Sequence, residues 1–168
     1  MKIIAQKNWI SIGIFCGGFG IAEAQAQQHT TATYDEWTVS CVENQKVCEI
    51  TSSQQLEGQS TIASQITISG FAKDKPARIS IQIPPNVWMA SGIKLTTDDK
   101  DTGIAAAFRW CVPGRCLADV EVKQDTLKKL GDLGDRPGTL VFQDATQHDQ
   151  KIPVSFKGLG QALLARPH

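Results

Sequence analysis

Along most of the chain, apolar and polar residues alternate with a period of two, the period of a strand with one buried face. Trp37-Thr38-Val39-Ser40-Cys41 is the first clear case, preceded by Thr30 to Tyr34. Val47-Cys48-Glu49-Ile50-Thr51 resumes the alternation beyond a polar loop. Ile62 to Ile68 is rich in β-branched residues, and Ile79-Ser80-Ile81-Gln82-Ile83 sets three isoleucines on one face before Pro84-Pro85 ends it. Val87-Trp88-Met89 and Ile93-Lys94-Leu95-Thr96 predict two short pieces around Gly92, and Asp98 to Gly103 reads as a charged turn. Phe108 to Val112 and Arg115 to Val122 form a hairpin about Pro113-Gly114. Leu140-Val141-Phe142 and Ile152 to Phe156 close the set across a polar turn, Asp144 to Lys151. Pro153 lacks a ladder donor, so its strand belongs at an edge or a bulge. Two stretches read as helix. Thr126 to Leu130 follows Asp125 as a cap, with Leu127, Leu130 and Leu133 inward, and Gln161 to Arg166 stops at Pro167. Strands at intervals of roughly 8–12 residues predict a mainly β fold, an antiparallel β-sandwich with one or two short helices.

The N-terminus breaks this pattern. Lys2 and Lys7 precede an uncharged run from Trp9 to Ile21, and small residues follow in Ala22-Glu23-Ala24-Gln25-Ala26. Positive, apolar, then A-x-A is the order of a secretory signal. The run is about 13 residues, short of the roughly 20 that span a bilayer. Cleavage fits after Ala24 or Ala26, and the second is preferred. The chain therefore divides into a signal peptide, 1–26, and one β domain, 27–168, and is expected to be periplasmic or secreted, with no transmembrane segment after cleavage.

Charge narrows the partners. Lys plus Arg and Asp plus Glu are 17 each in 168 residues. No polybasic stretch is present to neutralise phosphates, so nucleic acid is not an expected partner. Beyond the signal four cysteines remain, Cys41, Cys48, Cys111 and Cys116, an even number that suggests two disulfides in an exported chain. Four cysteines allow three pairings, which the sequence does not strictly decide. The turns favour the local scheme. Pro113-Gly114 at the centre of a two-residue turn sets Cys111 opposite Cys116 on a non-hydrogen-bonded rung, with Cα atoms about 4.5 Å apart. Cys41 and Cys48 bracket a polar hairpin loop. Closing loops this short contributes roughly 2–2.5 kcal/mol each on the chain-entropy model. Zinc is the competing use, but the spacings are C-x6-C and C-x4-C, and His29, His148 and His168 are scattered. No C-x-x-C is present for redox exchange.

No catalytic set emerges. Asp98, Asp99 and Asp101 lack the glycine and glutamate positions of a calcium loop. Gly158-Leu159-Gly160 begins like a dinucleotide loop, but Leu163 stands where the third glycine belongs. There is neither a G-x-S-x-G elbow nor an H-E-x-x-H helix. His148 beside Asp149 has no nucleophile placed with it. Trp37 and Trp110 are expected in the core. If Val87-Trp88-Met89 is extended, Val87 and Met89 share one face and Trp88 takes the other.

The ordered features resemble the invasion-associated locus B family of exported bacterial proteins. The resemblance is carried by Trp37-x-Val39-x-Cys41, Cys48-Glu49, Ile81-Gln82-Ile83-Pro84 with Val87, Met89 and Gly92, and Phe108-Arg109-x-Cys111-x-x-Gly114-x-Cys116-Leu117-Ala118. It ends with Pro153-Val154-Ser155-Phe156-Lys157-Gly158-Leu159-x-x-Ala162-Leu163. Leu159 stands where the family often has an aromatic residue, and the turn from Asp98 to Ala107 is longer than the pattern predicts. The resemblance implies an immunoglobulin-like β-sandwich, disulfides Cys41–Cys48 and Cys111–Cys116, no catalytic, cofactor-binding or metal residues, and an accessory role in host-cell invasion. The resemblance at Val87 and Met89 implies that theirs is the core face and that Trp88 points outward. The helix at Gln161 to Arg166 would then cover Trp88, or Trp88 would contact a partner. The expected function is thus a non-enzymatic, cofactor-free accessory or binding protein of the cell envelope, with a protein partner in the envelope or on a host cell. Two rivals stand beside it: a periplasmic enzyme or enzyme modulator using Arg109, Asp119 or His148, and a chaperone-like protein that pairs a free sheet edge with a partner strand.

Overall fold

A computed structural model describes residues 29–42, 47–55, 62–72, 75–97 and 103–165. The expected export signal, the aspartates of the charged turn and the Pro167 stop lie outside the described residues. The strands are β1 (His29–Tyr34), β2 (Trp37–Val42), β3 (Val47–Gln55), β4 (Ile62–Ser69), β5 (Ala77–Ile83), β6 (Ile93–Thr96), β7 (Ile104–Val112), β8 (Arg115–Val122), β9 (Pro137–Gln143) and β10 (Asp149–Ser155). The helices are α1 (Gln124–Gly131) and α2 (Leu159–Ala165).

All ten strands are antiparallel and share one sheet, in the order β1-β2-β3-β4-β5-β8-β7-β6-β9-β10, curled into a half-barrel. This corrects the expectation of two separate immunoglobulin-like sheets. The cause lies in β7. Its first residues pair with β6 (Ala106 with Ile93, Ile104 with Leu95), and the rest pair with β8 (Ala107 with Asp119, Cys111 with Cys116). One long strand therefore carries the ladder round the corner at which a sandwich would break into two sheets. Pro153 falls on β10, the last strand, where its missing N–H costs no ladder bond to a further neighbour.

The alternation is read out as burial. Trp37, Val39 and Cys41 of β2, Ile66 and Ile68 of β4, Ile79, Ile81 and Ile83 of β5, and Val154 of β10 all point into the curl. The helix α1 begins at Gln124, and Lys123 occupies the cap without a side-chain bond, so Asp125 sits in the first turn rather than capping it. Leu127 and Leu130 are buried, and Leu133 packs against the core.

The two ends of the sheet meet at a seam. The Trp37 indole N–H donates to the Ser155 carbonyl (3.1 Å), the Glu36 amide donates to the Lys157 carbonyl (3.3 Å), and Lys157 pairs with Asp35 (3.4 Å). Gly158, at φ 87°, lies so close to Tyr34 that an added Cβ would sit 2.0 Å from its carbonyl oxygen. Gly114 also has positive φ (98°), but a Cβ there meets nothing within 4 Å. The two positions separate backbone strain from steric contact. Gly114→Ala is expected to cost about 1 kcal/mol, whereas Gly158→Ala adds a clash with main chain and should cost several-fold more. Chemical denaturation of both variants measures the difference, and equal losses would refute the seam contact.

Candidate interaction surface

Both cysteine pairs form rungs next to hairpin connections, one between β2 and β3 and one between β7 and β8. Cys41 lies opposite Cys48 with Cα atoms 4.1 Å apart, and Cys111 lies opposite Cys116 at 4.0 Å, each pair at bonding distance. The first pair is buried. The second closes the β7–β8 hairpin, whose Pro113-Gly114 tip projects from the body.

Around that hairpin the expected pattern fails twice. The ladder slips between Phe108 and Trp110, so Arg109 is an extra residue on β7. The inserted residue shifts the alternation of β7 by one from there on, so Trp110 pairs with outward-facing Leu117 instead of following Ala106 and Phe108 into the core. Trp110, expected inside, is outside. Met89 was expected on the core face with Val87. Val87 does pack against the core and bridges Asp144, but the strand ends there. Asn86 takes φ 88°, the Trp88 amide donates to the Gln143 carbonyl (2.8 Å), and residues Met89–Ser91 roll into a single 3-10 turn. Ser91 caps the turn by donating from its hydroxyl to the Trp88 carbonyl (2.8 Å). The period-two argument therefore stops at Val87. Met89 instead sets its Sδ 3.4 Å from Cys111 Sγ. The expected cover is elsewhere too, since α2 packs on α1, β1 and β2 and leaves Trp88 exposed.

The result is a concentration of exposed apolar side chains. Among the described residues seven large ones are exposed, and five gather at this end: Ile62 (51% exposed), Trp88 (41%), Met89 (42%), Trp110 (42%) and Val112 (43%). Ile62 joins the hairpin through a shallow hollow of about 160 Å³ that it lines with Pro84, Gly114 and Arg115. No Asp or Glu occurs in residues 84–97 or 103–118, the segments that build this end apart from Ile62. Exposed apolar groups are ordinary when scattered, and their gathering at one end makes this the candidate surface.

The residues of the enzyme rival are only partly brought together. Arg109 and Asp119 form an ion pair on the outer face of β7 and β8, joined by Arg78, which also reaches Glu121 (3.3 Å). His148 is not with them. It lies in the β9–β10 turn, its Nδ1 2.9 Å from the Thr146 hydroxyl. Larger open hollows exist among the described residues. One, of about 510 Å³, is lined by Lys94, Thr96, Thr139, Asp149 and Lys151 among others, and another, of about 630 Å³, lies between α1 and α2. Neither contains Arg109, Asp119 or His148, but a further open hollow of about 360 Å³ is lined by Arg109 and Asp119 with Arg78 and Glu121, and His148 does not line it. Gly158-Leu159-Gly160 serves the seam and the helix packing: Gly160 abuts Gly131 of α1, where an added Cβ would lie 2.9 Å from the Gly131 carbonyl. Among the described residues no three His, Cys, Asp or Glu side chains form a metal cluster, and no helix is long and apolar enough to cross a membrane.

A mainly β body emerges: one curled antiparallel sheet, two local cysteine rungs and an exposed apolar end. A family model described as "Invasion associated locus B (IalB) protein" matches residues 37–167, and the chain belongs to that family. The crystal structure of invasion associated protein B from Bartonella henselae shares the fold, with a TM-score of 0.69 at 20% identity, covering 80% of this chain and 94% of that one. A comparison with curated protein sequences finds no match.

The turn beside the surface carries a shifted acid. Asp144 is held down from 3.8 to about 2, first by the Thr146 hydroxyl bond, then by the His148 amide, with Thr146 N–H and Gln150 adding to both. A depressed folded pKa means that this turn is stabilised above the ordinary carboxylate range and loses that support as pH falls from about 4 toward 2. An NMR titration of the Asp144 carboxyl should show a midpoint near 2, and Thr146→Ala should raise it. A midpoint near 4 in the native protein would contradict the bonded turn.

Proposed function

We propose that this protein is an exported, non-catalytic accessory protein of the cell envelope that works by binding, and that Trp88 with Met89, Trp110 and Val112 makes the contact. The gathering of exposed apolar side chains at one braced end carries the reading. Family membership, the two cysteine rungs read as disulfides Cys41–Cys48 and Cys111–Cys116, and the separation of His148 from Arg109 and Asp119 support it. The invasion-associated name of the family supports a role at the host surface. Residues 1–26 act as the export signal, and 27–168 form the single functional domain.

Export is tested by mass: protein recovered from the periplasm or medium should lack the first 24 or 26 residues, and retention of Met1 refutes it. Binding is tested with a photo-reactive residue at position 88 in the native envelope. Cross-links that vanish in the Trp110→Ala background, with the fold intact by circular dichroism, support the surface. A second reading, strand addition, is favoured by β1, an edge strand of His29-Thr-Thr-Ala-Thr-Tyr34 with no proline and no acid to protect it. Thr31→Lys should abolish cross-linking if β1 is the contact and leave it unchanged if the apolar end is.

A further inference from the structure

Resting on that reading of the apolar end, we propose that its occupant is an anionic phospholipid surface, onto which the Pro113-Gly114 hairpin tip and the Trp88-Met89 turn dock together. The shape comes first. The tip projects, with open space around Gly114, and the hollow beside it holds only about 160 Å³. That falls below the roughly 300 Å³ at which cavities begin to enclose a ligand. A second hollow, of about 300 Å³ between Ile62, Pro84-Pro85 and the β9–β10 turn, is open and lies to one side of the tip, so the projecting apolar tip itself suits a deformable partner that moulds to it.

The chemistry agrees. Trp88 and Trp110 flank Met89 and Val112, and indoles concentrate at the headgroup level of bilayers, where an apolar body meets a polar boundary. Arg115 stands at the tip beside Gly114 and makes no ion pair among the described residues, so its charge is available to a headgroup phosphate. Residues 84–97 and 103–118, which build this end apart from Ile62, carry no carboxylate side chain. Of the flanking acids, Asp119 is paired by Arg109 and Arg78, whereas Asp144 and Asp149 are held by neutral donors, keep their charge and stand in and beside the β9–β10 turn rather than at the hairpin tip. The rung Cys111–Cys116 fixes the tip, so docking orders few new torsions.

The experiment uses the protein recovered after export and sedimentation with two kinds of vesicle, one of phosphatidylglycerol with phosphatidylethanolamine and one of phosphatidylcholine alone. Binding to the first is expected, with weakening as salt rises. Quenching by bromine-labelled lipid chains should reach Trp88 and Trp110 and spare buried Trp37. The exposed double variant Trp88→Ala/Trp110→Ala should bind about tenfold or more weakly, and Arg115→Glu should bind about fivefold to tenfold more weakly. Equal binding to phosphatidylcholine, no binding, or unchanged binding by the double variant overturns the proposal. A dimer that the double variant dissolves, without vesicle binding, overturns it in favour of a second copy. Protein cross-links from position 88 without vesicle binding overturn the lipid occupant yet leave the contact surface standing, and absence of both removes the two readings together.

Discussion

A curled sheet has two ends, and unless they are tied its apolar interior opens to water along the gap. Here the tie is the Trp37 indole, which starts β2, fills the core and donates its N–H to the Ser155 carbonyl at the end of β10. Burying so large an aromatic while satisfying its one donor joins the hydrophobic term to a specific partner. Everything nearby follows the same demand. Glu36 bonds Lys157, Gly158 slides under Tyr34, Phe156 and Leu159 turn inward, and α2 begins there and leans on α1. The ladder supplies the strands' own bonds, and the seam decides that the sheet closes upon itself.

The segments Trp37-x-Val39-x-Cys41 and Pro153-Val154-Ser155-Phe156-Lys157-Gly158, which lie far apart in the chain, are the two lips of this seam. Their presence as a pair explains why a resemblance built on scattered short motifs extends to the whole fold. The Cys41–Cys48 rung lies at the far end of β2 from Trp37 and fixes the β2–β3 hairpin, so β2 is held at both ends.

Much of this was legible locally. The three isoleucines of β5, the alternation of β2 and the edge or bulge that Pro153 calls for, of which the edge is found, are consequences of side-chain period and a missing N–H, and both act within a few residues. What was not legible acts across strands. Period two says that β7 is a strand and does not say that its first residues pair with β6 and its last with β8, which is the difference between one sheet and two. Nor does it reveal a bulge, because Arg109 looks like any outward polar residue until the register against β8 is known. Trp110 was misassigned for that reason. Met89 was misassigned because the strand was assumed to continue through a position where Asn86 has already turned the backbone to φ 88°. The signal that could have found both is the same: tryptophan and methionine lying close to Pro, Gly and Asn, where alternation is least trustworthy.

The two misreadings fall on the candidate surface, and this bears on function. A regular β7 would have carried Trp110 inward after Phe108, and an extended segment would have buried Met89 beside Val87. Burial of each such side chain stabilises a fold by about 1.5–3 kcal/mol. The chain forgoes that twice, using a bulge and a 3-10 turn that each disturb ladder bonding to bring the side chains out. It then braces the exposed end with Cys111–Cys116, so the groups stay outward in a fixed arrangement. Local departures from the rules that otherwise build a fold concentrate where a protein acts on something else. The exposed end of this half-barrel is such a place: stability is given up there at two neighbouring positions, while at the opposite end the Cys41–Cys48 rung is buried and the alternation runs undisturbed.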